Sequence, residues 1–452
     1  MKSQKNTIDS MHEALVPETK RPYTVPINWC WTTVGAVNTY DSCAIDPSKF
    51  QDTMFELYSV PSSVNNYPEI ISGNDIGSTK QCVKLGDVLL CKINPRINRV
   101  WKVSKFTDND LLASSEWVVV RNDELNSDYL MWYFRSPVFR KILLKNVSGV
   151  GGSLMRAQPK YIKTYPIPIP PITEQKRIVD RIESLFSKLD EVKDKVQSVL
   201  DGMELRKAAI LHKAFTGELT KKWREANNIK IDEWKLVTMR EIVSDFKYGT
   251  SEKSDYSFKG MPVFRIPNIT DQGLSFEDMK FLSHSNVPSE SQIHEGDILI
   301  IRSNGSRDLV GKSVLVPKLN SQYAYASFLI RIRVSSRVLP EFLVYFLNSS
   351  RARMQMFKKA KSSAGINNIN SRELGSIKLN LPSITEQVEI LKILNSILQS
   401  TELVATKVGG TIQQIESIKN SILSKAFRGE LGTNDPSEES SLNLLKQILE
   451  KS

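Results

Sequence analysis

Apolar residues recur along two stretches of this chain with the alternating four- and three-residue steps of a heptad. In the first stretch the series is Ile178, Ile182, Leu185, Leu189, Val192, Val196, Val199 and Met203, with Ile210 in phase beyond it. In the second it is Ile390, Leu394, Ile397, Thr401, Val404, Val408, Thr411, Ile415, Ile418 and Ile422. This spacing predicts a helix with one apolar seam, and the facing seam is expected to be the other copy. Pro171 and Pro382 precede the two helices, and Thr173 and Thr385 are the expected N-caps. Gly217 and Gly429 stand where a C′ glycine would end each one. Each helix should run about 40 residues, on the order of 60 Å at 1.5 Å per residue.

The flanks of the two helices repeat as well. Ile172-Thr173-Glu174-Gln175 returns as Ile384-Thr385-Glu386-Gln387, and Lys213-Ala214-Phe215-Thr216-Gly217-Glu218-Leu219 returns as Lys425-Ala426-Phe427-Arg428-Gly429-Glu430-Leu431. Both pairs share one offset, 212 residues, so the helices match without a gap. Two related halves follow, rather than a solenoid. The roughly 160 residues between the helices make a domain only about 30–40 Å across. Parallel helices would oblige that domain to carry the chain back some 60 Å, on the order of a full helix length. The helices are therefore expected to be antiparallel, related by a pseudo-twofold axis, with one globular domain at each end of a dumbbell.

Organised this way, residues 1–27 are an N-terminal extension, 28–170 a first globular domain and 171–226 the first spacer helix with its follow-on. Residues 227–381 are a second globular domain, 382–432 the second spacer helix, and 433–452 a tail with a short amphipathic helix. The domains repeat loosely. Trp29 opens a segment leading to Val34-Gly35-Ala36-Val37, and Trp234 one leading to Met239-Arg240-Glu241-Ile242. Gly86-Asp87-Val88-Leu89-Leu90 pairs with Gly296-Asp297-Ile298-Leu299-Ile300, a turn feeding a buried strand. Tyr129–Phe134 pairs with Phe342–Leu347 as a core helix or strand. The fold class expected is mixed α/β in each half.

Composition adds little that contradicts this. A length of 452 residues with 40% hydrophobic content allows several cored domains. No apolar run approaches the roughly 18 residues of a membrane span, and the polar N-terminus lacks a signal-peptide core. Cys30, Cys43, Cys82 and Cys91 contain no CxxC pair, and four histidines complete no metal-ligand spacing. A cytoplasmic protein with reduced, structural cysteines and no metal is expected.

Charge points to a partner. The net charge is +11, and part of it is concentrated. Arg140, Lys141, Lys145, Arg156, Lys160 and Lys163 share a stretch without an acid, and so do Arg351, Arg353, Lys358, Lys359, Lys361 and Arg372. Each stretch holds a loop of small and amide residues, Ser148–Ser153 in one and Ser362–Asn370 in the other. Cations beside Asn side chains and open backbone suit phosphate and base-edge contact. Two more loops follow the Gly-Asp strands: Lys92, Asn94, Arg96, Asn98 and Arg99 in the first domain, and Arg302, Ser303, Asn304, Ser306 and Arg307 in the second. Together with Lys145, Ser148, Arg156, Lys160, Lys358, Lys359, Lys361, Asn367, Asn368 and Asn370 they are the candidate DNA-contacting residues, one face per domain. Two such faces on a rigid spacer imply a bipartite target.

Catalytic machinery is not legible. The chain has no GxxxxGK[ST] loop, and Gly149-Val150-Gly151-Gly152 has no βαβ setting. Asn94-Pro95 is followed by Arg96 and lacks the second proline and aromatic of an adenine-methyltransferase motif.

On the paired ITEQ helix starts, the KAFTGEL and KAFRGEL helix ends, the Thr220-Lys221-Lys222-Trp223-Arg224 follow-on and the Trp-begun domains, the chain resembles the specificity (S) subunits of type I restriction-modification systems over about residues 28–432. The resemblance implies two target-recognition domains, each reading half of an asymmetric, interrupted sequence in double-stranded DNA. It implies that the helix pair sets the spacer and docks two methylation (M) subunits, with restriction (R) subunits joining them. S-adenosylmethionine, ATP and Mg are expected on those partners and no cofactor on this chain, which would be non-catalytic. In that family the C-terminus tends to close on the N-terminal domain, and the Leu442–Leu449 segment is expected either to do so or to fray. Two rivals predict otherwise: a single-chain enzyme needs appended catalytic motifs, and a coiled-coil scaffold, or a degenerate specificity subunit, modifies no DNA.

Overall fold

The computed structural model describes residues 7–149, 155–284, 292–363 and 366–451. It divides into two compact units, Met1–Lys195 with Gly410–Ser452, and Val196–Gly409. Both long helices form, over Ile172–Thr216 and Ile384–Ala426. Their starts lie slightly upstream of the expected caps. The carbonyls of Pro171 and Ser383 accept the first helical hydrogen bonds, from Gln175 and Gln387. Thr173 and Thr385 are thus inside the first turn rather than N-caps, because the preceding residue already holds the capping position. Gly429, at φ +76°, ends the second helix in a Schellman arrangement, with Glu430 N donating to Lys425 O and Gly429 N to Ala426 O.

Within the first unit, Trp29 leads into the strand Cys30–Thr33, which pairs antiparallel with Pro166–Ile169. Pro166 and Pro168 alternate along this two-stranded pair, so their missing N–H groups fall on the side that needs no partner. Val88–Cys91 is the wholly buried centre of a three-stranded sheet between Val100–Lys102 and Trp117–Val120. A five-stranded sheet lies alongside it in the chain. Tyr129–Phe134 forms a helix, within Ser127–Arg135. The first spacer helix runs antiparallel to the end of the second here: Asp190 pairs with Lys419, and Lys193 with Glu416 at 3.2 Å.

The second unit follows the same plan. Lys235–Thr238 pairs with Lys378–Leu381, and Ile298–Ile301 is a buried strand of a four-stranded sheet. Pro340–Asn348 is the helix equivalent to Ser127–Arg135. Leu211, Ala214 and Phe215 share one core with Ile390, Leu391 and Leu394.

The repeated letters mark the points where helix and domain lock. Glu174 accepts the Trp29 indole N–H at 2.7 Å, and Glu386 that of Trp234 at 2.8 Å. Gln175 accepts from Asn126 N, at the N-cap of Ser127–Arg135, and donates to Pro170 O. Gln387 does the same with Leu339 N and Pro382 O. Phe427 packs edge-on against Tyr129 and Tyr133, at 5.4 and 5.2 Å between ring centres, and Phe215 against Phe342 and Phe346, both at 5.3 Å.

The seam is buried only where a domain covers it. Ile178, Ile182, Ile390 and Leu394 are fully enclosed and Ile415 nearly so, whereas Leu185, Leu189, Val196, Ile397 and Val408 are half-buried. Val192 and Val404 are exposed, against the expectation of a closed seam. One facing helix covers only part of an a/d stripe, so its edges remain open.

The two halves differ in what completes the glutamate. Glu386 also meets Arg224 and Thr220, which follow the first helix. Glu174 meets Asn434 and Thr433 from the C-terminal segment, where Arg177 also pairs with Glu438 at 2.7 Å. The helix Ser441–Lys451 then buries Leu445 and Ile448 and packs on the N-terminal helix Thr7–Ala14. The C-terminal segment therefore closes on the first domain.

Candidate nucleic-acid interface

In the first unit the Gly-Asp turn sets the loop that follows its strand. Gly86 takes φ +88°, and buried Asp87 accepts from Lys84 N and pairs with Arg121 through both oxygens, at 2.7 and 2.6 Å. After Cys91 the chain leaves the sheet. Lys92 O accepts from Ala157 N at 2.9 Å, Ile93 bridges to Arg156, and Asn94 N donates to Met155 O. Asn94 and Asn98 both take the left-handed backbone, φ +46° and +53°, which Asn tolerates better than most residues. Asn98 Nδ2 donates to Phe134 O, and the Arg140 guanidinium to Arg96 O.

The loop and the basic stretch thereby become neighbours. Between them lies a cleft of about 760 Å³ lined by Asn98, Arg99, Arg135, Arg140 and Lys141, with no acid in its lining. Arg135 donates to Val100 O, and burial draws its pKa below the usual guanidinium value. Lys92 is half-buried, while Arg96, Lys145 and Ser148 are exposed. Ser148 pairs with Arg156 across a two-residue ladder, Arg156 is neutralised by Glu116 at 3.0 Å, and Lys160 rests over the Tyr161 ring. Val150, Gly151, Gly152 and Ser153 lie outside the described residues.

The second unit repeats this register with different side chains. Gly296 takes φ +85°, Asp297 accepts from His294 N and pairs with Arg333 at 2.7 Å. Arg302 O accepts from Ile369 N, as Lys92 O does from Ala157 N. Ser303 then pairs with Asn368, and Asn304 with Asn367. The Arg302 guanidinium sits 4.6 Å from the centre of the Tyr248 ring, and its Nε lies 3.4 Å from Asn368 Oδ1. Asn304 Oδ1 accepts from Ser306 N, and Asn367 Nδ2 donates to Gly305 O. Arg307 lies over Phe357, next to half-buried Lys359 and exposed Lys358. Asn370 Oδ1 caps the helix Ser371–Gly375 by accepting from Glu373 N. The side chain of Lys361, and Ala364 and Gly365, lie outside the described residues.

Three contributors were not legible. Tyr248 comes from a strand more than fifty residues upstream of Arg302 and carries no local signal. Arg121 and Arg333 hold the Gly-Asp turns, and the only hint of them is an arginine at the end of, or within, an apolar strand. Among the described residues no group of His, Cys, Asp and Glu could hold a metal ion, and no helix is long and apolar enough to cross a membrane.

The chain resembles known proteins in sequence and in fold. The chain is 28% identical over 307 residues to the type I restriction enzyme EcoKI specificity subunit of Escherichia coli (strain K12), covering 68% of this chain and 66% of that one. It is 25% identical over 309 residues to the StySPI specificity subunit of Salmonella potsdam, with the same two coverages. The chain thus aligns over about two thirds of the length of these relatives. In structure it resembles a chain from a type I R-M system, described for its complex assembly and conformational transition, with TM-score 0.74, 22% identity, and coverage of 91% of this chain and 100% of that one. It also resembles the HsdS subunit from Thermoanaerobacter tengcongensis, with TM-score 0.53, 22% identity and the same coverages. The type I restriction modification DNA specificity domain matches residues 45–200 and again 231–416, one copy per half, and on that double match the chain belongs to this family as a specificity subunit.

Proposed function

We propose that each globular domain reads one half of an asymmetric, interrupted sequence in double-stranded DNA, and that the helix pair sets the distance between the halves. One observation carries this reading. In both halves the loop after the Gly-Asp strand is hydrogen-bonded, at the equivalent register, to the end of the basic stretch. Two stretches well separated in the chain thus form one surface per domain.

The chemistry differs between the two surfaces, which supports two different half-sites. In the second domain Arg302, seated over the Tyr248 ring, together with Asn304, Asn367 and Asn368, supplies the bidentate donors and amides that discriminate guanine and adenine edges. Lys358 and Lys359 supply phosphate contacts that position without specifying. In the first domain Arg99, Arg140 and Lys141 offer a cleft for phosphate, with Lys92, Asn94, Arg96 and Asn98 on its loop.

The helix pair docks two methylation subunits, which bind S-adenosylmethionine and methylate adenine. Restriction subunits join that core and carry ATP and Mg. The specificity chain itself catalyses nothing and binds none of these cofactors. The test is co-expression with a methylation subunit of the same system in a methylation-free host, followed by mapping of modified adenines by long-read sequencing. A single interrupted motif with one modified adenine per half is the expected result. A soluble complex that leaves the DNA unmodified overturns it in favour of a scaffold or a degenerate subunit.

A further inference from the structure

Cys43 immediately precedes the strand Ala44–Ile45 and Cys82 ends the strand Lys80–Cys82, two neighbours at one edge of the five-stranded sheet. Their register is Ala44 opposite Gln81 and Ile45 opposite Lys80. One step further places Cys43 opposite Cys82, and Cys82 N donates to Cys43 O at 3.0 Å. Directly opposed residues of an antiparallel pair share a face, with Cα atoms about 4.5–5.5 Å apart. A disulfide needs Cα atoms about 4.4–6.8 Å apart. The backbone thus already meets the requirement, and the Cys82 thiol feels the Cys43 thiol beside it. Both are free, Cys43 is exposed and Cys82 is half-buried. The other two cysteines are buried and differently engaged: Cys30 Sγ faces Ser441 O and Cys91 Sγ faces Ile93 O.

We propose that Cys43 and Cys82 are a reversible dithiol–disulfide site, oxidised by a low-molecular-weight disulfide such as oxidised glutathione. Cys43, the accessible thiol, attacks the oxidant as its thiolate, forms a mixed disulfide and expels one glutathione thiolate. Cys82 gives its proton to solvent and attacks Cys43 Sγ, expelling the second. Two protein thiols lose two electrons, and one glutathione disulfide becomes two thiols. Burial, with Cys43 beside it, pushes the Cys82 thiol up to about 11 despite the pull of Arg121, which suits the slower resolving role. A bond across a hydrogen-bonded strand pair at an exposed edge is of the strained kind that reduces readily. It would pin the edge strand Ala44–Ile45 to the sheet of the first domain only, since the second unit has no cysteine.

The test uses the full chain, incubated with oxidised glutathione, alkylated and mapped as peptides without reduction. The expected result is a fall from four free thiols to two, a Cys43–Cys82 cross-linked peptide, and recovery of all four with dithiothreitol. Cys82→Ser should instead retain glutathione on Cys43, at least tenfold more than the unmodified chain does. A wild-type chain that keeps the adduct on Cys43 as firmly as the variant, or that links either residue to Cys30 or Cys91, overturns the proposal. The wild-type peptide map decides the matter even if the variant fails to fold.

Discussion

Glu386 is enclosed, at 1% exposure, and the Arg224 side chain that meets it is at 7%. The carboxylate accepts from Arg224 Nη1 at 2.6 Å, Thr220 Oγ1 at 2.7 Å and Trp234 Nε1 at 2.8 Å. Arg224 also bonds Gly217 O and Thr220 Oγ1 and lies over the Trp234 ring. Glu386→Leu leaves a buried guanidinium facing no carboxylate. Breaking such a pair costs about 3–5 kcal/mol. Arg224→Leu strands the carboxylate with two neutral donors and should cost about as much. Replacing both removes both charges together, and exchanging a buried ion pair for apolar residues is often close to neutral, here offset by an indole N–H, a hydroxyl and the Gly217 carbonyl left to satisfy. The two single costs therefore sum to far more than the double. Because the chain has two units, one unfolding curve is not enough. The cycle should be read from amide exchange of the strand Ile298–Ile301 against urea. Additivity within about 0.5 kcal/mol, or a double variant worse than either single, would refute the account of a mutually dependent buried pair.

Three further outcomes are expected. Burial raises the pKa of Glu174 while hydrogen bonds from Asn434 and Trp29 oppose the rise. A carboxyl whose folded pKa lies above its unfolded value, about 4.3, favours the fold below that value and loses this contribution as pH rises through the folded one. The first unit should therefore gain stability from this group as pH falls from neutral toward 4.3, and Glu174→Gln should flatten that slope in thermal melts between pH 4 and 7, roughly the interval in which the group titrates. An unchanged slope counts against it. Gly409 and Gly410 sit inside the second spacer helix with open space where a Cβ would go. Replacing both with Ala should stabilise the helix by about 1–2 kcal/mol, seen as slower amide exchange around them. Finally, Asn304→Ala or Asn368→Ala should change the modified sequence in one half-site only. Lys358→Ala with Lys359→Ala should weaken binding to all sequences alike and lower the salt slope by about two. A half-site change from the lysines would reverse the assignment of roles.

The helices, the Gly-Asp turns and the internal repeat were legible because each rests on a short-range rule: a heptad step, a positive-φ glycine, an apolar run. The closeness of Arg99 to Arg140 was legible only as two suspicious stretches, since nothing local says that a loop at 92–99 will meet a helix at 137–143. Tyr248 under Arg302 was invisible for the same reason. Asn370 has a duty that composition hides: it stands in an amide-rich loop and also caps a helix, a use that Asn serves as readily as base contact. Val192 and Val404 fit the heptad but lie open, because periodicity reports the face a residue occupies and not how completely that face is covered.

The letters shared by the halves have a consequence for inheritance. ITEQ and KAFxGEL survive in both copies, and their mechanical duties are fixed. They receive an indole, brace a domain helix and seal it with a phenyl ring. The surfaces proposed to touch DNA differ between the halves. A genetic crossover placed within the shared letters would join two fragments whose indole, backbone and aromatic contacts match on either side of the cut, while the glutamate would change its further partners from Arg224 and Thr220 to Asn434 and Thr433 or the reverse. A whole reading domain, with its socket, would then transfer in one step, and a new target would arise by exchange rather than by gradual wear of the core.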